Sequence, residues 1–219
     1  MNVLFDLDGT LTDPREGILG CFKHALEKLQ VAAPTDRELE RFIGPPLWES
    51  FSTLCGSSNK GAVEQAVALY RERFATKGMF ENRIYSGIAD ALARFQQARV
   101  QLFVVTSKVR LFAEPIVEHF GLRRFFISVY GGELDGSYVD KSELIAKVLR
   151  SESLTPDETV MIGDRAHDVI GAKATGSFQL VRYGVSVRER SWCRLERSCC
   201  VRYRISSSRL CVFGRAGVS

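Results

Sequence analysis

Val3-Leu4-Phe5-Asp6-Leu7-Asp8-Gly9-Thr10 decides how this chain of 219 residues is read. Three apolar residues in unbroken succession are too continuous for a strand with one wet face, and predict a short strand buried on both sides. Strands of that kind belong to parallel sheets. Asp6 and Asp8 then fall at the carboxyl end, where open α/β sheets collect their ligands. Leu7 points the other way, so the two carboxylates can face one pocket. Asp-Gly-Thr is also ordinary turn chemistry, and Asp-x-Asp-Gly-Thr arises by chance in about one chain in several hundred. The octapeptide needs support from further along the chain.

The support begins with alternation. Similar apolar runs recur at Gln101–Val105, Phe126–Tyr130 and Thr159–Ile162, with a further candidate strand at Phe178–Arg182. Between them lie helical patterns: Ala89–Gln97 after the Ser86-Gly87 break, Leu111–Phe120 stopped by Gly121, Lys141–Ser151 ahead of Pro156, and Asp168–Thr175 stopped by Gly176. Strands alternating with helices predict an α/β fold, a Rossmann-like parallel sheet with helices on both faces. Residues 14–80 break the pattern, with helical periodicity only. Ile18, Leu19, Phe22, Ala25, Leu26 and Leu29 form one stripe; Val63, Ala66, Val67, Tyr70 and Phe74 form another. The expected organisation is an α/β core at 1–13 and 83–184 and an inserted all-helical cap at 14–82. Linkers are expected near Thr12–Arg15 and Glu81–Tyr85, with an atypical tail at 185–219.

Charge and cysteine both collect in that tail. The formal net charge is +4, yet residues 185–219 hold eight Arg against two Glu, a surplus of six that leaves the preceding residues at −2. The basic character therefore belongs to the tail, and the rest of the chain argues against nucleic acid as a partner. Four of the six cysteines, Cys193, Cys199, Cys200 and Cys211, lie there too, with no Cys-x-x-Cys and no His to make a zinc site. Cys21 and Cys55 alone in the body fit a reducing compartment. No apolar run reaches the roughly eighteen residues a membrane span needs, and the first apolar run meets Asp6 at once, unlike a secretory signal. A cytoplasmic location is the expectation; monomer and homodimer are both open.

Three further signatures stand in register with the first. The second strand ends in Val104-Val105-Thr106-Ser107-Lys108. Lys141 follows Asp140 at the start of a helix. The fourth strand ends in Met161-Ile162-Gly163-Asp164, with Asp168 four residues on. In order and spacing this set resembles the haloacid dehalogenase superfamily of phosphohydrolases over roughly residues 1–176, and within it the phosphoglycolate phosphatase-like subfamily with a helical cap. The resemblance implies that Asp6 is a nucleophile forming an aspartyl-phosphate and that Asp8 is the general acid and base. It implies Mg²⁺ held by Asp6, the backbone carbonyl of Asp8 and Asp164, with Asp168 orienting that shell or joining it through water. Thr106 would donate to a phosphate oxygen, Lys141 would hold the nucleophile and the transferring group, and Gly9 and Ser107 would line the phosphate site. In the cap, Phe42-Ile43-Gly44-Pro45-Pro46-Leu47 resembles a substrate-facing loop, with Gly44 and Pro45 as contacts, although Gly-Pro-Pro serves equally as a turn between helices. His24, His119 and His167 read as structural or surface residues.

The implied reaction is Mg²⁺-dependent hydrolysis of a small phosphorylated metabolite, 2-phosphoglycolate first and a nucleoside 5′-monophosphate second. A sugar phosphomutase uses the same aspartate pair and stays open. So does a non-enzymatic reading, an inactive interaction protein with a basic tail that binds nucleic acid. The resemblance stops after Gly176: Tyr183-Gly184-Val185 only echoes the expected Gly-Tyr-Gly turn, and the abrupt change to Arg, Ser and Cys is what a shifted reading frame or a disordered tail would give.

Overall fold

The computed structural model describes residues 1–56, 59–182, 200–205 and 208–213. It divides into two compact units, one of Met1–Thr12 with Ile84–Ser219 and one of Asp13–Arg83. In chain order, β1 (Asn2–Phe5) and β2 (Thr12–Asp13) lead into α1 (Arg15–Lys28), α2 (Asp36–Leu39), α3 (Leu47–Leu54) and α4 (Lys60–Arg73). After β3 (Arg83–Ile84) come α5 (Ile88–Gln97), β4 (Gln101–Val109), α6 (Arg110–His119), β5 (Ser128–Gly132), α7 (Lys141–Ser151), β6 (Thr159–Gly163), α8 (Ala166–Ala174) and β7 (Phe178–Arg182). Two further strands, β8 (Cys200–Ile205) and β9 (Ser208–Phe213), lie in the tail.

The main sheet runs β5-β4-β1-β6-β7-β9-β8. Its first five strands are parallel, with β1 central between β4 and β6. The last two are antiparallel, β9 to β7 and β8 to β9. Alternation along β1 sorts its side chains between the two faces. Leu4 packs with Phe103, Val105 and Met161 against Leu144, Ile145, Val148 and Leu149 of α7. Phe5, on the other face, meets Phe95 of α5 and Phe126 edge-on, both with ring centroids 6.0 Å away. Asp6 follows Leu4 at the two-residue interval, so it emerges on the face that α7 covers, and its backbone N–H still extends the ladder to Ile162 O at 2.9 Å.

The helical unit holds its own apolar core. Phe22 of α1, Phe51 of α3 and Tyr70 of α4 pack with centroids 5.1–6.1 Å apart, and Phe42 and Phe74 extend the cluster. Both predicted stripes are buried except at Leu29 and Val67, which are half-buried. A turn of π-helix, Phe74–Gly78, follows α4. There Arg73 reaches Glu81 at 2.8 Å and donates to the Cys21 thiol at 3.4 Å.

The predicted elements of the α/β core appear with shifted ends. Strand β4 continues to Val109, past the predicted Val105. Strand β5 starts at Ser128 because Phe126 is still tied into a 3-10 turn, its N–H donating to Arg123 O at 3.2 Å. Helix α8 opens at Ala166, ahead of the predicted Asp168. In the tail, read from its sequence only as atypical, β8 and β9 form. The alternation Val201, Tyr203, Ile205 against Arg202 and Arg204 is the sequence signal for β8 that the overall composition hides. The remainder of the segment expected to be frameshifted or disordered lies outside the described residues. Among the described residues no helix is long and apolar enough to cross a membrane.

Candidate active site

Four segments deliver the polar residues. Asp6 and Asp8 come after β1, Thr106 and Lys108 from the end of β4, Lys141 from the first turn of α7, Asp164 from the β6–α8 connection and Asp168 from the first turn of α8. Asp6, Thr106, Lys141 and Asp168 are all buried. Four polar side chains inside a core are costly unless they satisfy one another.

Three of them, Asp6, Lys141 and Asp168, do so around the lysine's ammonium. Lys141 Nζ lies 3.0 Å from Asp6 Oδ1, 2.9 Å from Asp168 Oδ1 and 3.0 Å from the carbonyl of Val105. Helix α7 brings it there because the Asp140 side chain accepts from the N–H groups of Ser142 and Glu143, fixing the helix start one residue before the lysine. Burial alone would discharge Lys141, but Asp6 and Asp168 outweigh it and hold the ammonium above its ordinary pKa. Asp168 is held twice over, its second oxygen accepting from the Arg165 N–H at 3.1 Å.

The acids outnumber their cation. Burial first, then the charge of Asp6, pushes the Asp164 carboxyl up to about 6. The same two causes raise Asp168 against the pull of Lys141. Asp6, Asp164 and Asp168 each offer an oxygen within 4.8 Å of the others. The closeness depends on glycine: a Cβ at Gly9, whose φ is +85°, would strike the Asp164 carboxylate, and one at Gly163 would strike that of Asp168. Thr10 Oγ1 donates to Asp164 Oδ1 at 3.2 Å. An all-oxygen donor set with surplus negative charge fits a hard divalent cation such as Mg²⁺. Asp6, Asp164 and Asp168, all expected as ligands, lie together in this cluster; the Asp8 side chain, expected to act on protons and to offer the metal only its backbone carbonyl, reaches Lys108 Nζ at 2.8 Å.

A thermal measurement follows from these shifts. Because Asp164 titrates higher folded than its ordinary 3.8, its stabilising contribution is complete below that value and is lost as pH rises through about 6. A cation requires the ionised form and relieves the repulsion. The rise in unfolding temperature on adding Mg²⁺ should therefore grow between about pH 5 and about pH 7.5. A shift that is largest at the acid end, or none at any pH, would remove the cation from this cluster.

Thr106, buried, accepts from the Lys108 N–H at 3.3 Å, which leaves its own proton to give away. Ser107 is exposed beside it. Gly44, at φ +113°, and Pro45 are exposed on the helical unit. His119 and His167 are exposed and His24 is half-buried. Sequence reasoning missed the contacts of Thr10 and Lys108.

The sequence profile of the haloacid dehalogenase-like hydrolases matches residues 3–181. The chain belongs to this family. A 5′-nucleotidase of Pseudomonas aeruginosa is 47% identical over 175 residues, 80% of this chain and 79% of the relative. The structure of protein tyrosine kinase A of Mycobacterium tuberculosis superposes with a TM-score of 0.73 at 35% identity, covering 87% of this chain and 88% of that one. A predicted phosphoglycolate phosphatase of Haemophilus somnus has a TM-score of 0.73 over 81% of this chain and 83% of its own, but at 18% identity it shares the fold alone. As a haloacid dehalogenase-like hydrolase, the chain carries the helical insertion as its cap region.

Proposed function

We propose that this hydrolase removes phosphate from nucleoside 5′-monophosphates in a Mg²⁺-dependent reaction through a phosphorylated Asp6. The observation that carries the substrate is the 47% identity to a protein named 5′-nucleotidase over four-fifths of the chain. It favours the nucleotide over phosphoglycolate, the substrate the sequence motifs put first.

The chain's own groups divide the work as follows. Asp6, held in place by Lys141 Nζ at 3.0 Å, attacks phosphorus. Thr106 donates its hydroxyl to a phosphate oxygen, and Lys141 adds positive charge beside the transferring group. Asp8 gives a proton to the departing ester oxygen and takes one from the water that later releases phosphate from Asp6. Mg²⁺ held by Asp6, Asp164 and Asp168 would supply charge neutralisation for a dianion entering an acidic site. Gly44 and Pro45 of the cap region would contact the leaving group. A phosphomutase would share every one of these groups and differ in the fate of the phosphoryl group, which it passes to a sugar in place of water.

A substrate panel with Mg²⁺, and again with EDTA, tests the proposal. Adenosine 5′-monophosphate should exceed 2-phosphoglycolate in kcat/KM by about 10-fold or more, and EDTA should abolish both activities. Preference for phosphoglycolate would return the assignment to the other substrate. Sugar-phosphate isomerisation without phosphate release would make the protein a mutase. Silence on every ester would favour the interaction protein.

A further inference from the structure

The end of β4 is irregular in a way that concerns one lysine. Thr106 pairs with Gly131 and Val109 with Gly132, so Ser107 and Lys108 are two extra residues opposite a single step of β5. Bulges beside active sites re-aim side chains. Here the bulge ties the Lys108 N–H to the hydroxyl of Thr106 and brings Nζ to Asp8 Oδ2 at 2.8 Å. The two side chains are only 12% and 17% exposed. The other oxygen of the same carboxylate, Asp8 Oδ1, is buried and accepts no hydrogen bond among the described residues.

We propose that Lys108 is a positioning residue that decides which oxygen of Asp8 handles the proton. An ammonium has only donors, so it takes Oδ2 as its acceptor and fixes the rotation of the carboxylate. Oδ1, which accepts no hydrogen bond among the described residues, is the oxygen left to exchange a proton with the leaving group and the water. During transfer, a bond forms between an Asp6 carboxylate oxygen and phosphorus while the bond from phosphorus to the ester oxygen breaks. Its electron pair goes to the leaving oxygen, which receives the proton from Asp8 Oδ1. Asp8 is left as a carboxylate with Lys108 beside the charge it has gained. In the second half, Asp8 Oδ1 takes a proton from the attacking water as the Asp6–phosphorus bond breaks, and the pair returns to its starting state.

The inference rests on the phosphatase reading, and leaving-group dependence separates the two. Adenosine 5′-monophosphate expels a basic alkoxide that needs the proton; p-nitrophenyl phosphate expels a phenolate that scarcely does. For Lys108→Met, kcat on the nucleotide should fall by about 100-fold while kcat on p-nitrophenyl phosphate falls by less than about 5-fold, and KM for each stays within about 3-fold. Lys108→Arg, which restores a donor of the same charge, should recover most of the nucleotide rate. Should Lys108→Met lose its fold by thermal unfolding, Lys108→Gln carries the same comparison. Equal losses on both esters, a rise in KM alone, or no loss would overturn the positioning role and leave the phosphatase reading standing. A wild-type protein that releases phosphate from neither ester would overturn both.

Discussion

Asp6→Asn should lose at least about 10⁴-fold in kcat on every phosphate ester, because the amide oxygen is neither a nucleophile nor an anionic ligand. The same protein should stay folded. The Asn side chain has nearly the same shape, and its carbonyl oxygen can still accept from Lys141, which sits 3.0 Å from Asp6 Oδ1. Removing the charge costs one attraction to Lys141 and relieves the repulsion that raises Asp164 and Asp168. With these opposed, the metal-free unfolding temperature should lie within about 3 °C of wild type. Turnover above a small fraction of wild type, at a matched fold, would take the nucleophile's role away from Asp6.

Lys141 carries the second large effect, this time on stability. Lys141→Met preserves length but leaves Asp6 and Asp168 buried with no counter-charge. Removing one partner from a buried ion pair costs about 3–5 kcal/mol, and urea unfolding in EDTA at about pH 8 should show a loss of that size. The sign of its pH dependence follows from the same geometry. Without the ammonium, nothing opposes the burial and the Asp6 charge that already raise Asp168, so the stabilising contribution of Asp168 survives only at acid pH. The gap between variant and wild type should narrow as pH falls towards about 5. Lys141→Arg should not restore activity, since a single point charge serves three acceptors here and a planar guanidinium cannot be placed in the same space. A Met variant as stable as wild type in EDTA would mean that the triad contributes little to the fold.

How far the sequence foretold this site depends on the kind of signal. The strand–helix alternation and the apolar stripes of the insertion are periodic, and burial follows period; helix α7 appears at its predicted bounds because Asp140 caps it and Lys141 opens it. The four motifs lie at strand ends, where topology converges, so Asp6, Lys141, Asp164 and Asp168 meet as the register required. Non-periodic features were harder to read. The bulge in β4 arises from pairing with Gly131 and Gly132, long-range partners that no local pattern announces, and it is what turns Lys108 to Asp8. Strand β8 was hidden because an excess of Arg masks its two-residue alternation. Substrate was least legible of all: the proposed roles of the core motifs concern the phosphate that all these esters share, and none of them distinguishes a nucleoside from a glycolate.

The central claim is a covalent phosphoryl group on Asp6, and acid-quenched mass spectrometry during turnover reads it directly. With adenosine 5′-monophosphate and Mg²⁺, the peptide spanning Val3–Thr10 should gain one acid-stable, base-labile phosphoryl group at Asp6, absent from Asp6→Asn and from samples quenched without substrate. Steady turnover with that peptide unmodified at every quench time, or a phosphoryl group found on another residue, would contradict the account.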